Sequence, residues 1–396
     1  WIQGIEFMNG AALFGAGVYV DSCDVSFYGC CFTDNVAEVE GGGLRYRYGD
    51  PWITGCWFTN NSAADRGGNL AMRGTGGDVA ECSFLGGTAE WGGGACVRLE
   101  ATTEFYDCVF DGNHATGDEG YGGGFYAGSN AMPAVINCSF IGNSSGLCGG
   151  GAASYGCEAF VFSSSSFSDN TAQWGGAIYV TDALSGDVTQ GTFARNEASG
   201  GGAVLLENAG HSGVHNSYFL DNTATTEAGG GVLILDAAEG GGVTDCIFEA
   251  NSAVYGGGVA LQGGAPGMPV YGCTFALNTI TGGRGVGAGI AVDGISVPIA
   301  QNIIAFSTSG EAIGCEGGGA VTANACAIYG NAGGDWVGCI AGQQSQNYNS
   351  DADPLFCDMY IGTFHLCENS YCHSSNNPSG IRIGALPTGC DPCDSP

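Results

Sequence analysis

Arginine grips carboxylates and sulfates well, because its planar guanidinium donates hydrogen bonds in pairs. In this chain it supplies every basic residue, since Lys+Arg totals 8 and no lysine occurs. Arg45, Arg47, Arg66, Arg73 and Arg98 crowd into one stretch of sequence. Asp21, Arg47, Arg73 and Arg98 hold equivalent places in successive segments, followed there by Gly128 and Tyr155. Arg45 lies beside Arg47 on the same face, and Arg66 sits in the adjoining turn. The stripe Arg45, Arg47, Arg73 and Arg98 suits an acidic sugar chain or an acidic patch on a neighbouring subunit. On a merely solvated surface, Glu38, Glu40 and Glu100 would neutralise it, and such exposed pairs contribute little.

Other chemistry is sparse. A glycosidase needs two carboxylates at a defined separation. Asp50, Asp65 and Asp78 read as turn residues, and Asp34, Asp169 and Asp221 are scattered. His114, His211, His215, His365 and His373 show neither metal nor triad spacing. No catalytic residue and no metal ligand is assigned, and no cofactor is expected. Ca2+ is chemically compatible with acidic turns but has no motif here.

The 20 cysteines point to an oxidising compartment and several disulfides. Cys390-Asp-Pro-Cys393 and the Cys367/Cys372 pair approach zinc-ligand spacing, yet disulfides are the preferred reading. The disulfide candidates are Cys339, Cys357, Cys367, Cys372, Cys390 and Cys393. Asn60, Asn137, Asn143 and Asn369 are candidate glycosylation positions, in keeping with a secreted, extracellular or cell-surface protein. Asp+Glu totals 39, so the formal net charge of −31 reflects missing bases. Most of this surface repels a polyanion, which excludes nucleic acid as a partner. No apolar run approaches the roughly 18 residues that would suggest a membrane span.

The elements that position these residues come from a repeat. A unit C-x-F-x-x-N-x-A, a few variable residues, G-G-G and an alternating strand recurs, as in Cys30-Cys31-Phe32-Thr33-Asp34-Asn35 with Gly41–Gly43. The phenylalanines fall at 7, 32, 58, 84, 110, 140, 167, 193, 219, 248 and 275, in steps of 25 to 30 residues. Weaker units centre on Ile304 and Ile328, making about thirteen. Each unit carries short β-like runs without helical periodicity, and the repeated glycines oppose helix. The expected fold is all-β, a single right-handed parallel β-helix of about thirteen coils. Phenylalanine should stack inward. The cysteine two residues earlier faces the same way, giving a column Cys30, Cys56, Cys82, Cys108, Cys138, Cys246 and Cys273, either paired or as buried thiols. Asn35, Asn61, Asn113, Asn143, Asn170, Asn196, Asn222, Asn251 and Asn278 should form a structural ladder whose amides satisfy buried turn backbone.

These G-G-A-I and F-x-x-N signatures resemble the repeats of chlamydial polymorphic outer-membrane proteins and of secreted bacterial right-handed parallel β-helix proteins. Asp351-Ala352-Asp353-Pro354-Leu355-Phe356, Gly362-Thr363-Phe364-His365-Leu366, Asn369-Ser370 and Ile383-Gly384-Ala385-Leu386 resemble the terminal segment of the secreted family. The resemblance implies adhesins, surface fibres or polysaccharide-acting enzymes, and a structural role for His365. Residues 1–340 are expected to form the rod and 341–396 a disulfide-rich C-terminal cap. Trp1 and Ile2 begin inside a repeat unit, which predicts either a cut boundary or an open end for assembly. The leading expectation is a structural or adhesive extracellular module, a filament subunit joined end to end with copies of itself. The alternative binds or cleaves acidic polysaccharide through the arginine stripe.

Overall fold

A computed structural model describes residues 1–236, 240–264, 267–282, 286–359 and 362–393. Contacts divide the chain into two compact units, Trp1–Ser199 with Ala203–Gly210 and Gly200–Gly202 with His211–Pro396. Each is a stack of parallel strands wound as a right-handed solenoid.

In the first unit three parallel sheets run the length of the stack. They extend from Ile2–Gln3 to Ser185–Thr189, from Glu6–Met8 to Thr192–Ala194, and from Val18–Asp21 to Val204–Glu207. A shorter sheet, Ala11–Phe14 to Ser144–Ser145, lines one corner. The second unit repeats the plan, from His211–His215 to Ala320–Asn324, Tyr218–Leu220 to Ala327–Tyr329, and Val232–Leu235 to Ile313–Glu316. It ends in a small mixed sheet of Phe356–Asp358, Thr363–Cys367 and Thr388–Cys390.

The solenoid makes about 15 turns, slightly more than the thirteen units counted from sequence. The chain beyond the last repeat motif still stacks on its neighbour. Ala325 N–H donates to Asn347 O at 2.8 Å and Ile328 N–H to Ser350 O at 3.1 Å. This turn lacks the C-x-F-x-x-N signature, which is why motif counting passes over it.

Phenylalanine forms the core. In the first unit Phe32 and Phe58 stack with centroids 4.6 Å apart, and Phe110, Phe140 and Phe167 at 4.5 Å per step. In the second, Phe219, Phe248 and Phe275 stack at 4.7 and 4.8 Å. Each is fully buried, which stabilises by about 1.5–3 kcal/mol per ring. The glycine run sits where coils approach most closely. A Cβ on Gly42 would lie 2.4 Å from the carbonyl oxygen of Gly68 in the next coil, while Gly41 takes φ +70°.

Asparagine follows the predicted ladder within each unit. Asn143 Nδ2 donates to Asn170 Oδ1 at 3.0 Å and to Phe110 O at 2.9 Å. Asn143 Oδ1 accepts from the Asn113 backbone N–H at 3.0 Å. Asn222, Asn251 and Asn278 are joined likewise in the second unit. The coil centred on Phe84 has Gly87 where asparagine is expected, and there Asn69 enters the ladder from the corner. Asn69 Oδ1 accepts from Asn61 Nδ2 at 2.9 Å, and its Nδ2 donates to Asn113 Oδ1 at 3.1 Å.

Candidate functional site

The outer face of the sheet containing Leu44–Gly49, Leu70–Thr75 and Ala95–Arg98 carries the arginines. Its parallel register pairs Asp21 with Arg47, Arg47 with Arg73, and Arg73 with Arg98. A second outward column runs Tyr19, Arg45, Ala71, Cys96, Tyr126. At the adjoining corner Glu40, Arg66, Trp91, Tyr121 and Cys148 follow one another in bridged steps.

These columns converge on Glu40, which is buried. Arg45 Nε lies 3.0 Å from Glu40 Oε2, while Arg98 Nη2 and Arg66 Nη1 lie 3.4 and 3.8 Å from Oε1. Both carboxylate oxygens are therefore committed to cations, and Glu40 is unavailable as a base. Arg66 also pairs with Asp65. Arg45 is buried beneath the rings of Phe14 and Tyr19, at 4.3 and 5.0 Å from their centroids. Arg73 stands apart, its side chain making no ion pair or hydrogen bond among the described residues, and its Nε is buried without a partner. Arg47 pairs with Asp21 at 3.4 Å rather than joining the group. Glu38 and Glu100 form no ion pair among the described residues, so neutralisation falls to Glu40, Asp65 and Asp21. Burial pushes the Cys96 thiol beside this cluster up to about 12, against the opposing pull of Arg98 and Arg66, so it stays protonated.

The cationic group runs directly into an aromatic one. The Arg66 guanidinium lies 4.4 Å from the Trp91 ring centroid. Trp91 packs against Tyr126 at 5.3 Å and Tyr121 at 5.9 Å, and Tyr121 reaches Tyr155 at 6.2 Å. Trp91, Glu119, Tyr121, Tyr126 and Tyr155 line a cleft of about 210 Å³. Burial pushes the Tyr121 phenol up to about 12 and raises Tyr126 further, so both stay neutral. Flat apolar rings beside charged forks can cover a sugar face and hold its acid group.

The model of the family described as "Right handed beta helix region" matches residues 2–185 and 118–275. The chain belongs to this family. No curated protein matches the sequence. Family membership establishes the β-helix and leaves the ligand to be read from the site.

Elsewhere in this β-helix the candidate residues fall as follows. Cys339 bonds Cys315, Cys357 bonds Cys390, and Cys367 bonds Cys393. Cys372, grouped with them from sequence, is instead a buried thiol, and Cys315 takes its place among the bridged residues. The stacked Cys30, Cys56, Cys82, Cys108 and Cys138 are buried thiols, as are Cys246 and Cys273. Their position serves the backbone. The Cys56 N–H donates to Cys82 Sγ at 3.4 Å, just as the Cys138 N–H donates to Ser165 Oγ at 3.0 Å and the Cys273 N–H to Asn302 Oδ1 at 2.8 Å. Trp1 is exposed and Ile2 half-buried.

Of the glycosylation candidates, Asn60 and Asn137 are exposed, whereas Asn143 is buried in the ladder. Asn369 is exposed but precedes Ser370-Tyr371, so it lacks the Ser/Thr two positions on that an acceptor requires. No helix among the described residues is long and apolar enough to cross a membrane.

The second unit holds a cavity of about 400 Å³ lined by Glu227, Tyr255, Gln262, Asp293 and Glu316 among others. Asp293 and Glu316 are register neighbours on adjacent coils, and the Tyr255 hydroxyl is buried without a hydrogen-bond partner. Sequence reasoning missed this group because it sought acidic residues near the arginines. The matching positions of Gln262, Asp293 and Glu316 at the ends of aligned strands were the available signal. It also missed the aromatic cleft, although Trp91 and Tyr121 recur at the same corner of consecutive units.

Proposed function

We propose that this β-helix is an extracellular or cell-surface module that binds an acidic polysaccharide without cleaving it. The observation that carries this reading is Arg73, whose side chain has no partner among the described residues, beside the Glu40-centred arginines, in a group continuous through Arg66 and Trp91 with the aromatic cleft. Four guanidiniums meet two carboxylates there, so the patch stays cationic in a chain of net charge −31. A local field of that sign gathers anions, and the forks suit uronate carboxylates or sulfate esters. Coils about 4.8 Å apart present these groups at a spacing comparable with one sugar unit. The disulfides fit an oxidising setting, where gripping an acidic glycan would make the chain an adhesive module. The test is titration with polygalacturonate and with uncharged dextran. Binding of the first alone, weakening with salt, supports the reading; equal affinity for both opposes it.

A second reading follows from the acidic cavity of the second unit. Carboxylates on adjacent coils, about 4.8 Å apart at the backbone, approach the separation used by retaining glycosidases, about 5–5.5 Å. Asp293 and Glu316 would then share the roles of nucleophile and acid. Release of reducing ends from an acidic polysaccharide, abolished in Asp293→Asn and Glu316→Gln, would establish hydrolysis. Assembly with further copies through Trp1 and Ile2 is a separate proposal, tested by electron microscopy of the protein isolated from its source.

A further inference from the structure

The two C-terminal disulfides are not separate staples. Cys367 and Cys390 are register neighbours in the terminal sheet. The Cys390 sulfur lies 3.6 Å from that of Cys367 and 3.8 Å from that of Cys393, although it is bonded to neither. The sulfurs of Cys357, Cys367 and Cys390 all lie within 4.8 Å of one another. Three sulfurs therefore occupy one small volume with that of Cys393 adjoining them, tied by the bonds Cys357–Cys390 and Cys367–Cys393.

This approaches the arrangement a tetrahedral thiolate centre needs. With Zn–S bonds of about 2.3 Å, the edges of a zinc–tetrathiolate tetrahedron are about 3.8 Å. The two non-bonded separations match an edge, so reaching the tetrahedron requires that the two bonded pairs move apart and that the Cys393 sulfur, outside the close group of three, swing toward that of Cys357. Cys390 and Cys393 are spaced as a C-x-x-C pair, which sets two ligands on one turn. The strands Phe356–Asp358 and Thr363–Cys367 carry the other two, Cys357 and Cys367, and backbone hydrogen bonds hold members of both pairs. The Cys367 N–H donates to Leu355 O at 2.8 Å, and the Cys393 N–H donates to Asn369 Oδ1 at 2.9 Å. His365 and His373 lie nearby in sequence, with Nδ1 engaged by Pro387 O and Ser375 Oγ, but the close group of ligand atoms holds cysteine sulfurs alone, which points to an all-sulfur ligand set.

We propose that Cys357, Cys367, Cys390 and Cys393 form a redox-gated zinc site, closed as two disulfides under oxidising conditions and filled by one Zn2+ when reduced. The balance is simple. Each disulfide takes two electrons and two protons from a dithiol, which itself becomes a disulfide, and yields two thiols. One Zn2+ then displaces four protons and forms four Zn–S bonds, giving a centre of net charge −2. The C-terminal segment is thus cross-linked in both states, by sulfur–sulfur bonds or by metal, and loses its cross-link only when reduced without zinc.

The full-length protein is reduced with a trialkylphosphine, a weak zinc ligand, and offered Zn2+ or Co2+. One equivalent of zinc should survive gel filtration, and cobalt should give the intense thiolate charge-transfer and d–d bands of tetrahedral all-sulfur coordination. Diamide oxidation should expel the metal. Cys390→Ser with Cys393→Ser should lose the bound equivalent, whereas Cys372→Ser and Cys82→Ser should retain it, which separates this site from the buried thiols. Should the double variant fail to fold, Cys357→His keeps four ligands and should shift the cobalt bands toward those of three sulfurs and one nitrogen. Reduced wild-type protein that binds no zinc, or cobalt bands unchanged in Cys357→His, would overturn the proposal.

Discussion

Glu40 Oε1 lies 3.4 Å from Arg98 Nη2, across 58 residues of sequence. That contact, with Arg45 on the other oxygen, makes one buried carboxylate the hub of the cationic patch. Glu40→Gln should therefore act in two directions. It strands the buried Arg45, which should cost about 2–4 kcal/mol of stability, somewhat below the roughly 3–5 kcal/mol for breaking a buried pair because Arg66 and Arg98 are partly exposed. It also frees Arg45 and Arg98 for an external anion, while Arg66 keeps Asp65. Sulfate should raise the melting temperature of the variant more than that of wild type. Equal sulfate responses in the two proteins would mean that ligands cannot reach the patch.

Asn69 should matter more than its place in a glycine-rich turn suggests. Its amide bridges Asn61 and Asn113 across the coil where Gly87 leaves a gap, and a Cβ on Gly87 would lie 2.3 Å from Asn69 Nδ2. Asn69→Ala leaves buried donors and acceptors unpaired, at about 1–3 kcal/mol for each group left unsatisfied. Urea unfolding should show a loss of more than about 1 kcal/mol. A variant as stable as wild type would mean that water takes over the bridge.

The cysteine column should accept serine and reject valine. Cys82 Sγ accepts the Cys56 N–H at 3.4 Å, the task Ser165 performs in its own coil. Cys82→Ser keeps an acceptor and should stay close to wild type. Cys82→Val fills the space but orphans a buried N–H, and should lose about 1–3 kcal/mol in the same assay. The opposite order would show that packing, not backbone satisfaction, keeps cysteine there.

Acid should stabilise the second unit through Glu249. Burial pushes this carboxyl above its ordinary value, Tyr218 donating to it works against the rise, and Asp221 adds to it. A carboxyl raised in the folded state holds its proton more tightly there than when unfolded. Its favourable contribution is complete below the unfolded value and is lost as pH climbs to the folded one. Glu249→Gln should flatten that segment of the stability–pH curve and leave the protein at least as stable at neutral pH. Chemical denaturation of both proteins across the acid range checks the sign.

Much of the fold was legible because a solenoid writes its contacts into its period. Phe32, Phe58 and Phe84 recur at a fixed step, and each meets its equivalent one coil away. The same arithmetic placed Arg47, Arg73 and Arg98 in one column. What the period could not show is lateral. Glu40, Arg45 and Arg66 occupy three different positions of the unit, and only the corner geometry brings them together. Asn69 illustrates the same limit: its role depends on the absence of a side chain at Gly87 in the following coil. Disulfide partners were equally hidden, since Cys315 lies within a repeat and its partner Cys339 beyond the last motif.

The most direct test of acidic-polysaccharide binding is calorimetric titration of wild type and Arg73→Ala with polygalacturonate. The Arg73 side chain has no partner to lose among the described residues, so the variant should unfold like wild type while binding about tenfold more weakly, equivalent to about 1.4 kcal/mol. Its dependence on salt should also be shallower. Unchanged affinity in Arg73→Ala, or no binding by wild type at low salt, would contradict a polysaccharide site on this face.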